Sequence, residues 1–510
     1  MTNEGFSRGR PVSAALASAL LFLSVTTNGL AQGTRARLTL DEAIELARRS
    51  NPTYRMTVND EADANWGVRE AYASFLPSLS INNRLSYQAK GTPRLGNLSA
   101  ADFGLGATPP AYTSDYGLNA SLQISGATFF NAARSKANKR AVEAQIEAAG
   151  FDLATNVTRQ YLTALRARDN VVITQSALEA AAEALKIAEA RQQSGAATRL
   201  EVSQAQVDRG RAEVALLQAQ NARDTERVRL MQQVGVALDA DVELTSSFEV
   251  FEPDWALDEL IARALEAHPQ LIAAQKSESA AAAAAKAEWS QYLPSISLFG
   301  QWSGYVRKVG DTGYVIDQVR SSAENRVANC EFFNAIASGL NGALPGYPQN
   351  CSRYAFTPEA ESAALAANEQ YPFRYTSSPA YFQVMISLPI IDGFTRERRV
   401  QQARMVADDA KHQRRAQELT LRTDVTTNLF ALRTAHRTVA LEQQNAETAG
   451  LALELARERY RLGAGSILEL TQALEAKARA DQARLAAVYS FHESLAALEA
   501  AVGVTLGQNR

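Results

Sequence analysis

Histidine and cysteine are nearly missing from this 510-residue sequence, which holds four of the first and two of the second. No C-x-x-C, C-x-x-H or H-E-x-x-H spacing occurs, which argues against a metal cluster or a zinc hydrolase. G-x-S-x-G and P-loop signatures are missing too, and His268, His412, His436 and His492 have no suitably spaced partners. An exported enzyme is therefore the weaker reading, no cofactor is expected, and the histidines read as surface or interhelix residues. Neither charge dominates: 52 basic against 55 acidic residues, net −3, is a poor basis for binding nucleic acid. Aromatics make up only 7 % of a chain that is 46 % apolar, and alanine carries much of the difference. That balance favours helices packed closely through small side chains over a bulky aromatic core.

Long apolar runs are missing as well, with one short exception. Arg8 and Arg10 precede an apolar stretch from Ala14 to Val25, and Gly29-Leu30-Ala31 follows. This order reads as a secretory signal peptide, residues 1–31, cut after Ala31. A transmembrane anchor is the competing reading, weakened by the shortness of the run. No lipidation cysteine follows the apolar core. Downstream there is no run of about twenty apolar residues, so the mature chain has no spanning helix. It is either soluble or enters a membrane with β-strands.

What is present is a duplication. Tyr460-Arg-Leu-Gly463-Ala-Gly465-Ser466-Ile-Leu468-Glu469-Leu-Thr-Gln472 joins two long helical patterns. Gly463 sits where a helix C-terminus wants a left-handed residue, and Ser466 with Glu469 spells a capping box that opens the next helix. The same tip stands 268 positions earlier, with Gly195, then Thr198-Arg199-Leu200-Glu201. Upstream, Leu40-Asp41-Glu42, Asn51-Pro52 and Phe75-Leu-Pro77-Ser return 217 positions later as Leu257-Asp258-Glu259, His268-Pro269 and Tyr292-Leu-Pro294-Ser. The two offsets differ by 51 residues, an insertion placed within 306–377. The mature chain is thus a first repeat, 32–238, an extended link, 239–255, carrying Val242, Leu244, Phe248, Val250 and Phe251, and a second repeat, 256–510. A period this long is a duplicated domain rather than a solenoid.

After each L-P-S, apolar and polar residues alternate. Strands are expected at about 78–88 and 115–125, and again at about 295–305 and 379–389. Leu79, Ile81, Leu85 and Tyr87 form one apolar face, broken once by Asn83. Tyr87, Tyr116, Trp302, Tyr305 and Phe382 lie near strand ends, as an aromatic girdle would. Ten alternating residues suit a tilted membrane strand, and equally a half-buried hairpin in a soluble sheet. Four strands cannot close a barrel, for which about eight are needed, and an open edge in lipid is costly. If the strands enter lipid, several chains must share one barrel. The long loop 306–377 reads as extracellular and holds Cys330 and Cys351, which are expected to pair rather than stay as free thiols.

After each strand pair runs a proline-free helical pattern, about 131–193 and 395–462, with a shorter return, about 199–235 and 467–503. Val171, Leu178 and Leu185 are spaced by sevens, as in a coiled-coil seam. The expected fold is all-α dominated with membrane β: long helical hairpins, with tips at 193–201 and 461–469, plus four strands per chain.

The duplication, the paired L-P-S motifs, Leu388-Pro389-Ile-Ile-Asp392-Gly393 and the tip motif together resemble the TolC-like outer-membrane efflux proteins, over essentially the whole mature chain. The resemblance implies a homotrimer in the outer membrane of a Gram-negative-type bacterium, with a shared twelve-strand β-barrel and a periplasmic α-barrel. It also implies a periplasmic adaptor protein and an inner-membrane pump of RND, ABC or MFS type. The function so implied is the outer-membrane channel of a tripartite efflux or type I secretion system, a passive gated duct for small molecules or proteins. A periplasmic helical spacer without channel activity is the alternative. By resemblance, the adaptor docks on Gly195, Thr198, Arg199, Leu200, Gly463, Gly465, Ser466 and Leu468, and a periplasmic gate uses Glu201, Tyr460, Glu469 and Gln472. Glu201 and Glu469 are claimed equally by helix capping, and Arg199 and Arg461 are candidate counter-charges. Two departures stand out: no glycine at the first strand-to-helix return, Phe129-Phe130-Asn131-Ala132, and the long loop 306–377.

Overall fold

The computed structural model of the protein describes residues 36–92, 94–99, 106–236, 242–246, 248–340 and 344–506. The expected signal peptide and positions 239–241 and 247 of the link lie outside them. The first repeat runs β1 (Ala36–Leu38), α1 (Leu40–Ser50), α2 (Pro52–Ala73), β2 (Ser78–Gln88), a small hairpin of β3 (Arg94–Leu95) and β4 (Leu98–Ser99), β5 (Ala111–Ser125), α3 (Gly126–Gln193) and α4 (Arg199–Val234). In the link, β6 (Val242–Leu244) pairs in parallel with β1. The second repeat runs α5 (Leu257–Ala267), α6 (Pro269–Trp289), β7 (Ser295–Val309), α7 (Thr312–Ser338), α8 (Pro358–Asn368), β8 (Thr376–Ser377), β9 (Tyr381–Ser387), α9 (Thr395–Arg461) and α10 (Ile467–Val502). Helix dominates: α3 and α9, with 68 and 67 residues, are each ~100 Å long at ~1.5 Å per residue.

Polar caps set where the first helices begin. Thr39 caps α1 reciprocally with Glu42: Thr39 N–H donates to the carboxylate at 2.8 Å and Glu42 N–H to Thr39 Oγ1 at 3.3 Å. Asn51 accepts from Tyr54 N–H at 3.0 Å to cap α2, with Pro52 in the first turn, and its amide donates to Gln233 O at 2.8 Å. His268 does both jobs in the second repeat: Nδ1 accepts from Gln270 N–H at 3.2 Å, and Nε2 donates to Ala500 O at 3.0 Å. His268 and His492 are interhelix residues, each nearly fully buried.

Two equivalent cores form where these short helices meet the long ones. Val157, Tyr161 and Leu162 of α3 pack with Ala43 and Ala47 of α1 and with Leu230 and Val234 of α4. Val425, Leu429 and Leu432 of α9 pack with Leu260 and Ala264 of α5 and with Phe491, Leu498 and Val502 of α10. Tyr161 lies fully buried, and its hydroxyl donates to Leu38 O at 2.7 Å, which ties β1 to the first core.

The sheet is antiparallel in the order β2, β5, β7, with β8 and β9 both on the far edge of β7. Register sorts the side chains. Ile81, Leu118 and Trp302 share one face, as do Leu122, Leu298 and Val384, while Asn82, Asp115, Asn119 and Ser303 fall on the other. One face is therefore apolar and the other polar. Every residue of β2 and β9, the two outer strands, is exposed.

Several boundaries differ from the sequence expectation. β5 starts at Ala111 and β7 continues to Val309, so these central strands are fifteen residues long. The last strand does not span 379–389. It is confined to Tyr381–Ser387, because Pro379 and Pro389 have no N–H for a ladder, and β8 stands apart before the first of them. Tyr305 opposes Asp115 and so falls on the polar face, away from the girdle expected for it. α3 starts at Gly126, ahead of the expected 131, directly after its strand. Gly126 stands at the turn from strand to helix, where a Cβ would lie 2.6 Å from Leu293 Cδ1, but it lacks the left-handed φ of 66° that Gly393 takes at the second return. Residues 306–377 are not an irregular loop. They finish β7 and then form α7, α8 and β8, with Cys330 of α7 disulfide-bonded to Cys351.

The hairpin tips as candidate functional site

At each tip the long helix ends, one glycine turns the chain, and a short helix starts. Gly195 and Gly463 take φ of 75° and 80°, the left-handed conformation that side chains disfavour. Their N–H groups donate back to Gln192 O at 2.9 Å and Tyr460 O at 3.1 Å, and those of Ala196 and Ala464 to Arg191 O and Arg459 O, both at 2.8 Å. Thr198 and Ser466 then cap α4 and α10: Glu201 N–H donates to Thr198 Oγ1 at 3.3 Å and Glu469 N–H to Ser466 Oγ at 3.2 Å.

The two tips differ in what the glutamate does next. Glu201 completes its capping box, accepting from Thr198 N–H through Oε1 at 3.2 Å. Its other oxygen accepts from the Tyr460 hydroxyl at 3.1 Å, across from α9 to α4. Glu469 does not close the box expected for Ser466. It lies 3.8 Å from Arg459, roughly half exposed. The structure thus brings Glu201 and Tyr460 together and leaves Glu469 and Gln472 apart from them, Gln472 exposed on α10. Gly465 packs under this arrangement: a Cβ there would lie 3.1 Å from both Arg459 Cβ and the Glu469 carboxylate. Arg199 and the two leucines are outward, Leu200 74 % and Leu468 54 % exposed.

Tyr460 is the anchor of this site. Its side chain is fully buried against Ala184 and Ala188 of α3, Val202 and Ala205 of α4, and Leu470 of α10. Burial, and then the Glu201 carboxylate, push its phenol above the ordinary tyrosine value. The Thr198 N–H, and after it the Tyr460 hydroxyl, hold the Glu201 carboxyl below the usual carboxylate range. The contact is therefore a neutral phenol donating to a carboxylate.

Sequence reasoning missed Arg191. Its guanidinium lies 4.4 Å over the Tyr460 ring, donates to Tyr460 O at 2.6 Å, and donates to Ala196 O at 3.1 Å. It ties the first hairpin to the second. Arg459, its counterpart at offset 268, makes the same local bond, to Ala464 O at 3.3 Å. That doubled arginine, four residues before each glycine, was the available signal. Arg461, considered as a counter-charge, instead binds Glu458 of its own helix at 2.8 Å. Near the tips the hairpins are also joined by Thr471 to Asp208 at 3.0 Å and Arg457 to Glu183 at 3.5 Å.

The sequence profile of the outer membrane efflux proteins matches residues 43–236 and 357–504, covering most of the first repeat and the latter part of the second, and leaving β6, α5, α6, β7 and α7 unmatched. No curated protein sequence matches the chain. The CmeC outer membrane channel of Campylobacter jejuni superposes with a TM-score of 0.68 at 18 % identity, over 91 % of this chain and 85 % of that one. A membrane protein from Pseudomonas aeruginosa gives 0.66 at 18 % identity, over 91 % and 93 %. The MtrE outer membrane channel of Neisseria gonorrhoeae, in its open state, gives 0.63 at 19 % identity, over 92 % and 89 %. With two thirds of its length matched by one profile, the chain belongs to the outer membrane efflux protein family, a channel of the Gram-negative outer membrane with a large periplasmic helical part and not an enzyme.

Proposed function

We propose that the protein is one third of a passive, gated export duct. Three copies share a twelve-strand barrel and a periplasmic α-barrel. The tips dock a periplasmic adaptor, which couples the duct to an inner-membrane pump of RND, ABC or MFS type in a tripartite efflux or type I secretion system. Small molecules or proteins pass outward without chemistry.

The observation that carries this reading is the sheet: apolar on one face, and exposed along both outer strands. A four-strand sheet is too narrow to curl closed, and unpaired edge groups in lipid cost several kcal/mol each. Edge-to-edge pairing of β2 with the β9 of another copy removes both edges, and an apolar face is wasted on a spacer that never meets lipid. At the tips, the link between Tyr460, Glu201 and Arg191 is the closed-state latch. Gly195, Thr198, Arg199, Leu200, Gly463, Gly465, Ser466 and Leu468 form the docking surface.

The test is purification from outer membranes followed by planar-bilayer recording. A heat-modifiable trimer with low conductance that rises on latch mutation is the expected result. A soluble monomer without conductance rules the duct out.

A further inference from the structure

The insertion between β7 and β9 is rooted on the apolar face of the sheet, not over its polar face. Beside Lys308, toward the end of that apolar face far from the helices, lie the polar Asn83 and Ser114. Both are met by one side chain. Asn83 Nδ2 donates to the Tyr375 hydroxyl at 2.5 Å, and Ser114 Oγ, wholly buried, lies 3.0 Å from the same oxygen. The Tyr375 ring packs edge-on against Tyr116, with centroids 4.8 Å apart. Tyr371 packs at 5.8 Å against Tyr112, which itself stacks at 4.8 Å with Tyr87. Thr376 and Ser377 then pair with Tyr305 and Gly304. Gly304 makes the crossing possible, because a Cβ there would lie 2.6 Å from the Tyr116 ring and 2.8 Å from Thr376 O. Upstream, the Asn368 amide bridges the Val309 backbone at 2.7 and 2.9 Å, and Glu369 pairs with Lys308 at 3.0 Å.

Residues 371–375 therefore form a strap across the outside of the barrel wall, at the level of its tyrosines. Two features of the strap point outward, Phe373, 67 % exposed, and the exposed Arg374. Among the described backbone hydrogen bonds, the one donated from within 371–375 is Arg374 N to Gln370 O at 3.1 Å. Irregular backbone with free N–H groups is not stable in hydrocarbon. It is stable at headgroup depth, where phosphate and sugar oxygens accept hydrogen bonds, aromatic rings concentrate and arginine pairs with phosphate. The strap continues the face that the outer-membrane location turns toward lipid.

We propose that the strap Tyr371–Tyr375 is an interfacial contact for phosphorylated headgroups of the outer leaflet, with Phe373 seated at the boundary of headgroup and acyl chain and Arg374 on a phosphate. The inference rests on the channel's place in the outer membrane, and not on the gate. The two native cysteines are disulfide-bonded, so Phe373→Cys provides one reactive thiol for an NBD fluorophore on the assembled channel. A label at Ser338→Cys, exposed at the end of α7, is the aqueous reference. The labelled channel is reconstituted in vesicles of phosphatidylcholine and phosphatidylglycerol, and its conductance is recorded in parallel to establish that it is intact. The expected result is several-fold stronger quenching at 373 than at 338 by headgroup and shallow-chain nitroxide lipids, with protection from aqueous iodide. Equal iodide quenching at both sites without lipid quenching overturns the proposal, as does strongest quenching by deep-chain nitroxides. If Phe373→Cys does not assemble, Arg374→Cys carries the same readings.

Discussion

The Tyr460 hydroxyl donates to Glu201 at 3.1 Å while the opposite oxygen of that carboxylate accepts from Thr198 N–H at 3.2 Å. One side chain thus caps a helix and holds a second hairpin. Capping fixes the carboxylate, so the tyrosine meets a rigid acceptor and little conformational entropy is spent on the latch. At Glu201 the cap and the proposed gate contact are compatible, because they use different carboxylate oxygens. At Glu469 neither role is complete.

Tyr460→Phe should loosen the latch and leave the packing intact. It removes a hydrogen bond to a charged acceptor, about 1–2 kcal/mol, which shifts a closed-to-open equilibrium by roughly tenfold. Single-channel recording should show higher open probability or conductance. Glu469→Ala added to it should change little, because Glu469 is not in contact with Tyr460. Unchanged conductance in Tyr460→Phe would remove the gate assignment.

Arg191→Ala should open the duct at least as far, since it deletes both the ring contact and the bond to Tyr460 O. The two substitutions act on one cluster, so the effect of Arg191→Ala with Tyr460→Phe should fall short of the sum. A double-mutant cycle on open probability measures this. Strict additivity would mean that Arg191 acts elsewhere.

The duplication, the helix ends and the strand faces were legible in the sequence because glycine, proline and capping residues act locally. Asn51 and Pro52 announce α2 with no help from tertiary structure. What escaped depends on distant partners. Asn83 showed as a flaw in the alternation, but its partner Tyr375 lies 292 residues away, in a segment with no counterpart in the first repeat. Arg191 looked like any basic residue in the last turn of a helix, where the dipole favours one. Its bonds to the other hairpin follow only from how the two pack. The ordered α7 and α8 were obscured by the Gly- and Pro-rich stretch between them, read as loop throughout.

Acid should destabilise the helical part through two histidines. Burial alone pushes His492 down to about 4, with Nε2 buried and unpartnered beside Phe491 and Phe248. Burial lowers His268 too, and a proton on Nδ1 would abolish its cap on Gln270 N–H. The unfolded chain takes up these protons near pH 6.5, so stability is full above that value and falls as pH drops toward about 4. Melting of the helical signal between pH 7.5 and 4 should show this loss, and His492→Leu should flatten it. An unchanged pH profile in His492→Leu would exclude His492 as a source.

Leu200 and Leu468 occupy the same place on the two tips and are 74 % and 54 % exposed. Apolar side chains held out beside a cap contribute nothing to the protomer, and a docked partner would bury each for about 2 kcal/mol. Leu200→Glu with Leu468→Glu should abolish export and adaptor pull-down, with the trimer and its conductance preserved. Export at the original level would take docking away from the tips.

The wall of the proposed α-barrel requires a seam between neighbouring copies. On α4, Val207 and Val214 lie seven residues apart and are each 53 % exposed. On α9, Leu441 and Leu455 lie fourteen residues apart, two such periods, at 62 % and 63 %. A lone exposed leucine needs no explanation, but a seven-residue period is the signature of a seam between helices. Among the described residues these positions stay more than half exposed. Three copies around one axis would set the α4 stripe of each against the α9 stripe of the next. Val207→Glu would then leave the protomer's own packing untouched and place a carboxylate in the seam. It should cost about 2 kcal/mol of lost valine burial at each of the three interfaces, before the added charge is counted. The heat-stable trimer should dissociate at lower temperature on gels while helical content stays the same. A trimer of unaltered heat stability would move the stripe from the seam to a surface facing solvent or the adaptor, and the α-barrel would need another interface.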